Sequence, residues 1–403
     1  MKSTTNFSMT IDLPDGKLDT ILTYLKTLIP AIVTEIIKQV ILAFAETTCL
    51  ETPCPHCHAS GKAHWKTHHG EKTLITTVYG KSPLYQLQLQ CGSCGHKYYI
   101  TRTILGLERR QRTSNRVMRA FALIGALSTY RVSEKIASFC GVALNRMQVW
   151  RCVQKVGSGI QFKLDPAELN EAEADGTGMP IRGSGKRGKE LKVVAQRLKS
   201  GGVRIAGLAI GAYNGGWDAL FKPILEGIKA FACFLLITDG DTSILESVRN
   251  ILTVKFQRCL WHIPHQLKFC LWQDKVKRKS AEWTGILSRI YSIVSSRSLL
   301  GESDEVIAAA VKARLAQLDS LVDDCTRKRH THCAAYLANA RDDLFTSLLN
   351  RFSGKTSSHA ERVMRCANMR SNVGGTWTDA GCLNVNKVRL AHYYNGFDLD
   401  SLL

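Results

Sequence analysis

A chain of 403 residues, 45% of them hydrophobic, is long enough to bury the cores of two to four domains, which excludes a disordered tail. Its 54 lysines and arginines exceed its 34 aspartates and glutamates by 20 and are spread over most of the chain, so the expected partner is a polyanion, nucleic acid before membrane. No run approaches the roughly 18–20 uninterrupted apolar residues of a spanning helix, and the start, MKSTTNFSMT, lacks an apolar signal core, so a cytoplasmic protein, nucleoid-associated when bound to DNA, is expected.

Residues 1–50 form the first predicted segment. Leu18, Leu22, Leu25, Ile29, Ile32 and Ile36 recur at spacings of three and four, an amphipathic helical stripe broken or kinked at Pro30. Packing against the rest of the chain is the plain reading of the stripe; an oligomerisation helix is the alternative.

Residues 51–100 carry CPHC and CGSC, with Cys54, Cys57, Cys91 and Cys94 separated by a β-prone stretch. The 14 cysteines are expected as thiols in a long chain without a signal peptide, and two C-x2-C turns supply four sulfurs to one tetrahedral ion. A structural zinc ribbon is therefore predicted, against a redox Cys-x-x-Cys, which would need a βαβ pattern around it. His56, His58 and His96 are expected at the surface.

Residues 101–160 begin with the basic TRTILGLERRQRTSNR and continue as helix, turn at Gly141, helix, a helix-turn-helix pattern that a plain helical packing unit would share. On the second helix Asn145, Arg146, Gln148 and Arg151 are the residue types that reach bases or phosphates of double-stranded DNA.

From residue 165 to the end, EAEADGTGMPI, ELKVVAQRL and VRIAGLAIGAY read as an antiparallel meander. A helix over 217–230, the strand FACFLLITDGD, a helix over 243–252 and the short strand VKFQRCLW follow. A helical block over about 272–350 precedes a final helix. The order is that of an RNase H-like α/β core with a helical insertion, and the whole chain is α+β and multidomain.

Phosphodiester cleavage by two metal ions needs carboxylates converging from different elements. Asp175 and Asp239, each expected at a strand end, and Glu361, on a late helix, meet that need. Glu171 and Glu173 share a strand face with Asp175 and are its rivals. Asp241 is expected to cap the helix that follows it. Glu361 is the one acid in SSHAERVMRCANMRS, and an exposed helical pair with Arg365 would be worth only about 0.2–0.5 kcal/mol.

The segments EADGTGMP, LLITDGDTSILESV, FQRCLWHIPHQLK and HAERVMRCANMRSNVGGTWTDAGCLNVNKVRL resemble the DDE transposases of the Mutator-like group of insertion-sequence enzymes, over roughly residues 100–395. Cys259-x-x-His262, 20 residues after Asp239, is characteristic of that group, and Arg370, Trp377 and Asn384 agree with it. The resemblance implies a magnesium- or manganese-dependent enzyme that cuts transposon ends and joins the 3′-OH to target DNA. It implies Asp175, Asp239 and Glu361 as ligands of the catalytic ions. Arg362, Arg365 and Arg370 would then hold phosphates, with His359 a further contact, and the enzyme would act as a homo-oligomer on DNA. A catalytically silent DNA-binding descendant and a nuclease that cuts without joining are the alternatives.

Cys259 and His262 leave three readings open from chemistry: zinc half-site, hydrogen-bonding pair beside the site, or buried residues. Trp261, Trp272 and Trp283 are expected in the core of the helical block, with stacking on a flipped base as the alternative. The loop RGSGKRGK matches no phosphate-binding loop and is expected as a hairpin near DNA.

Overall fold

Residues 12–60, 63–68, 73–185, 188–213, 215–295, 299, 301–371, 373 and 376–397 are described in the computed structural model of the chain. The first ten residues and Lys186–Arg187 of the glycine-rich loop lie outside the described residues. The chain is mixed α/β and divides after Ser158 into two units.

Unit one opens with α1 (Leu18–Glu51), a single helix that runs through Pro30 instead of ending there. Its Ile41 and Ala45 are fully buried against Leu87, Leu89 and Ile100, but Leu18, Leu22, Leu25, Ile29 and Ile36 of the predicted stripe are exposed and Ile32 is half-buried. The expected packing of that stripe on the rest of the chain is thus not found. Over Leu18–Ala45 the helix is also long and apolar enough to cross a membrane by length and composition, which an uninterrupted-run criterion missed because Lys26, Glu35 and Lys38 punctuate it.

Strands β1 (Ala63–His68), β4 (Gln86–Cys91) and β5 (Lys97–Tyr99) form an antiparallel sheet in the order β1-β4-β5, and β2 (Leu74–Thr77) and β3 (Gly80–Pro83) form a hairpin. Leu87, Leu89 and Cys91 alternate inward along β4, the period-two pattern of a half-buried strand. After α2 (Thr101–Ile104) come α3 (Asn115–Leu127), α4 (Tyr130–Phe139) and α5 (Arg146–Gly159). Ser114 and Thr129 cap α3 and α4, and Gly141, at φ +73°, makes the turn the sequence predicts between α4 and α5.

In unit two β6 (Glu171–Met179), β7 (Lys189–Arg197) and β8 (Val203–Gly211) are the predicted antiparallel meander. Pro223 lacks the N–H an α-helix needs, and the predicted 217–230 helix is divided into α6 (Trp217–Phe221), a 3₁₀ turn and α7 (Leu225–Lys229). Strand β9 (Phe234–Thr238), α8 (Thr242–Val248) and β10 (Val254–Arg258) follow, β9 running parallel to β6 and β10 parallel to β9. The five-stranded order is β10-β9-β6-β7-β8.

A helical block of α9 (His262–Gln273), α10 (Ala281–Val294), α11 (Asp304–Arg327), α12 (Thr331–Ala340) and α13 (Thr346–Leu349) has its own core. It starts about ten residues before the predicted boundary, because Leu260, Ile263, Leu267 and Leu271 keep helical spacing and join that core. The chain then returns as α14 (Ser358–Ser371) and α15 (Asp379–Tyr394), which cover one sheet face, while α6, α7 and α8 cover the other.

Candidate functional site

Two clusters of ionisable side chains stand out, one in each unit. In unit one each C-x2-C turn is closed by backbone bonds, His58 N–H to Cys54 O at 2.9 Å and Gly95 N–H to Cys91 O at 2.9 Å. The residue after each second cysteine, His58 or Gly95, has positive φ, which turns the chain and aims both sulfurs to one side. Cys54 Sγ lies 3.7 Å from Cys94 Sγ, and Cys57 Sγ lies 3.6 Å from Cys91 Sγ. All four sulfurs are within 4.8 Å of one another, close enough to bind a metal ion.

Backbone N–H groups of Cys94 and Ser93 push the Cys91 thiol down to about 6. Cys94 goes the other way, up to about 12: the His96 amide favours its thiolate, but burial and the three neighbouring sulfurs outweigh it. Only a cation among them would let all four be thiolates together. His56, His58 and His96 are exposed as expected, with the His56 and His96 rings stacked.

The second helix of the predicted DNA-reading pair begins with a cap. Asn145 Oδ1 accepts from Gln148 N at 2.9 Å while Gln148 Oε1 accepts from Asn145 N at 2.9 Å, a reciprocal capping box at the start of α5. Arg146 and Arg151 remain exposed. Arg151 instead lines a groove of about 490 Å³ with Arg109, Arg110, Arg112 and Lys155. Arg102 Nη1 donates to the carbonyls of Glu108 and Gln111, each at 2.8 Å, which holds the loop that presents these arginines. Among the described residues Glu108 is the only carboxylate lining the groove, and Lys155 pairs with it.

In unit two the parallel register of β6 on β9 ends at Glu173 opposite Ile237. Asp175 and Asp239 each follow two residues after that last pair, near enough for the Asp239 charge to act on Asp175. Asp175 therefore lies in the middle of β6, not at its end; it is β9 that stops. Burial raises the Asp175 carboxyl to about 7, with Asp239 and then Glu361 adding to the effect against the Gly176 N–H. The three carboxylates thus share one field. As a set they are more open than the sulfurs: among the described residues only the cysteines bring three or more ligand atoms all within 4.8 Å.

Each glycine of the two Asp-Gly pairs has its own reason. A Cβ at Gly176 would lie 2.4 Å from Glu190 Oε1, and at Gly240, φ +98°, it would meet the Arg258 guanidinium at 2.0 Å. Asp241 accepts from Ser243 N at 2.8 Å and caps α8, as the sequence predicts.

Glu171 and Glu173 are not spare ligands. Glu171 accepts from the Ser353 and Gly354 amides at 2.9 and 2.8 Å. Fully buried Glu173 accepts from the His359 and Ala360 amides at 2.8 and 2.9 Å, which fastens the first turn of α14 to β6. Arg197 Nη1 and His359 Nδ1, each 2.8 Å away, complete its shell, so the Nδ1 side of the His359 ring serves Glu173.

Glu361 faces inward from α14, and its ion-pair partner is His262, with Nε2 to Oε1 3.2 Å, not Arg365. The Ser357 amide donates to Cys259 Sγ at 3.2 Å, and Ser357 Oγ is 3.4 Å from His262 Nδ1. Cys259-x-x-His262 is thus a hydrogen-bonding pair that steadies the start of α14 and touches Glu361. Burial opposes the imidazolium of His262, but Cys259, Asp175 and Asp239 raise it to about 9. Arg362 and Arg365 are exposed, whereas Arg370 is 5% exposed with its guanidinium 5.0 Å from the Trp377 ring centre, so it is a core contact and not a surface phosphate ligand.

Glu190 and Lys192 escaped the sequence reading. Lys192 is fully buried, ion-paired with Glu190 and 4.7 Å over the Trp217 ring. Burial raises the Glu190 carboxyl, with Asp241 and Asp239 adding to it. The alternation in KELK was the available signal, and it does not distinguish a buried lysine from an exposed one. Trp283 is buried as expected, but Trp261 and Trp272 are exposed.

No protein-family model matches this chain, and no curated protein does.

Proposed function

We propose that the chain is a DDE transposase: unit one, with a zinc ribbon and helix-turn-helix, holds the ends of the element, and unit two, with an RNase H-like core, cleaves DNA and joins the 3′-OH to a target. The observation that carries this reading is that Asp239 and Glu361, from two other elements, both act on the buried Asp175 carboxyl and raise it. The sheet order, three antiparallel strands followed by two parallel ones at the β6 edge, supports it.

The oxygen-only donor set suits a hard divalent ion, and the raised carboxyl of Asp175 is what uncompensated acids do. Asp175, Asp239 and Glu361 would hold magnesium or manganese, which supplies charge stabilisation to the attacking and leaving oxygens. The chain's own residues do the placing. Glu173 anchors α14, His262 donates Nε2–H to Glu361 and orients it, and Cys259 holds the Ser357 amide. Exposed Arg362 and Arg365, on the same helix as Glu361, carry positive charge for phosphates.

Zinc suits the four sulfurs: a tetrahedron with Zn–S of about 2.3 Å has edges of about 3.8 Å, and two edges here are 3.7 and 3.6 Å. Arg109, Arg110, Arg112 and Arg151 are assigned to the DNA backbone. Synapsis of two ends needs more than one copy, and the exposed stripe of α1 is the surface assigned to that association.

The test is cleavage and joining by the full chain, with magnesium or manganese, on DNA carrying the element's own ends. Wild type should cut and join, while Asp239→Asn and Glu361→Gln fall to background and still bind DNA. Binding without cleavage by wild type would favour the silent descendant, and cleavage without joining the nuclease.

A further inference from the structure

Helix α9 leaves the carboxylate site with two unlike faces. Ile263, Leu267, Cys270 and Leu271 point into the core of the helical block. The opposite face carries Trp261, His265, Phe269 and Trp272, at intervals of four, four and three residues, which makes a single stripe. Trp261 is 47% exposed, Phe269 50% and Trp272 66%, although Trp283 in the same block is buried.

The rings lie in two stacked pairs. Trp261 and His265 have centroids 3.9 Å apart at 28°, and Phe269 and Trp272 are 5.5 Å apart at 28°. At one end the Trp261 ring meets the His262 ring edge-on at 4.9 Å, and His262 contacts Glu361. At the other end Lys275, Lys277, Arg278 and Lys279 are all exposed, and half-buried Lys268 lies between. An apolar stripe that served a protein core or an apolar partner would not end in four cations. Flat rings interleaved with positive charge are what unpaired bases and their phosphates require, whereas a duplex hides its base faces. From residue 261 to 272 the helix rises about 16 Å, room for roughly five nucleotides at about 3.4 Å each.

We propose that the outer face of α9, from Trp261 to Trp272 and on to the Lys275–Lys279 loop, is a track for single-stranded DNA that receives an unpaired strand beside the carboxylates. The choice of DNA over RNA rests on the function proposed above; the stacking itself does not.

The experiment is fluorescence anisotropy of a labelled oligothymidine with the full chain, without added divalent metal, beside a duplex and an oligouridine of the same length. Trp272→Ala and Phe269→Ala should each weaken oligothymidine binding about 5- to 100-fold, the effect of losing one base stack. Trp272→Phe should retain most of the affinity, duplex binding should be unchanged, and melting should match wild type because both side chains are exposed. Wild-type affinity in the alanine variants, or equal losses on duplex and single strand, would overturn the track. Tighter binding of oligouridine would overturn its assignment to DNA. Failure of the transposase reading would show as absent cleavage by wild type and would leave these affinities as they are.

Discussion

The four cysteines of unit one and the three carboxylates of unit two gather like charges by different means. Each pair of cysteines is placed by its own turn, through a bond to the carbonyl four residues back and one residue at positive φ. The carboxylates come from positions far apart in the chain, and none places itself. Asp175 lies on β6 and Asp239 just past its parallel neighbour β9, and Glu361 comes on a helix whose start Glu173 grips and Cys259 and His262 steady. A short-range site brings its scaffold with it. A long-range site needs a second set of residues, some of the same type as its ligands, whose work is to hold elements together.

That contrast can be broken at several points. The largest effect is expected from Cys54→Ser, which should abolish metal in the purified protein by elemental analysis and remove hydrogen-exchange protection from residues 51–100. Unit two should keep its protection; loss across both units would end the idea of separate scaffolds. Glu173→Ala should come next. It removes one of the two buried carboxylates that Arg197 pairs with, Glu171 being the other, and leaves the His359 and Ala360 amides at the first turn of α14 without their acceptor, a loss of about 1–3 kcal/mol in urea denaturation. If Glu173 were only a spare ligand, stability would hold and only metal-dependent cleavage would fall.

Asp175→Asn tests the carboxylates from the other side. A folded carboxyl near 7, above its ordinary 3.8, penalises the folded state fully above pH 7 and not at all below about pH 4. Without added divalent metal the variant should therefore melt several degrees above wild type at pH 8, and the gap should narrow steadily as pH falls towards 4. A gap independent of pH would mean that the Asp175 carboxyl is not raised in the folded state. Asn145→Ala should be the mildest change, about 1 kcal/mol from loss of the capping box. DNA sequence preference in a binding-site selection should not move; a shift there would return Asn145 to base reading.

The Asn-x-x-Gln pattern at 145–148 is legible as a helix cap from spacing alone, because both partners lie within one turn. Arg370 and Arg362 are alike in sequence, both in a basic helix, yet one lies over Trp377 and the other faces out. The same holds for Trp283 and Trp272, one buried and one exposed on neighbouring helices. Spacing shows which residues share a face; it does not show what that face meets.

By itself the sequence determined the paired C-x2-C turns, the meander, the strand preceding Asp239, the cap at Asp241 and the turn at Gly141, because each depends on residues within a few positions of one another. Tertiary structure alone decided that most of the α1 stripe stays outside, that Asp175 lies at mid-strand, that Glu173 is an anchor and Glu361 a neighbour of His262, and that α9 shows its rings to solvent. Those outcomes depend on which distant elements pack together, and burial, unlike periodicity, is a property of the partner as much as of the residue.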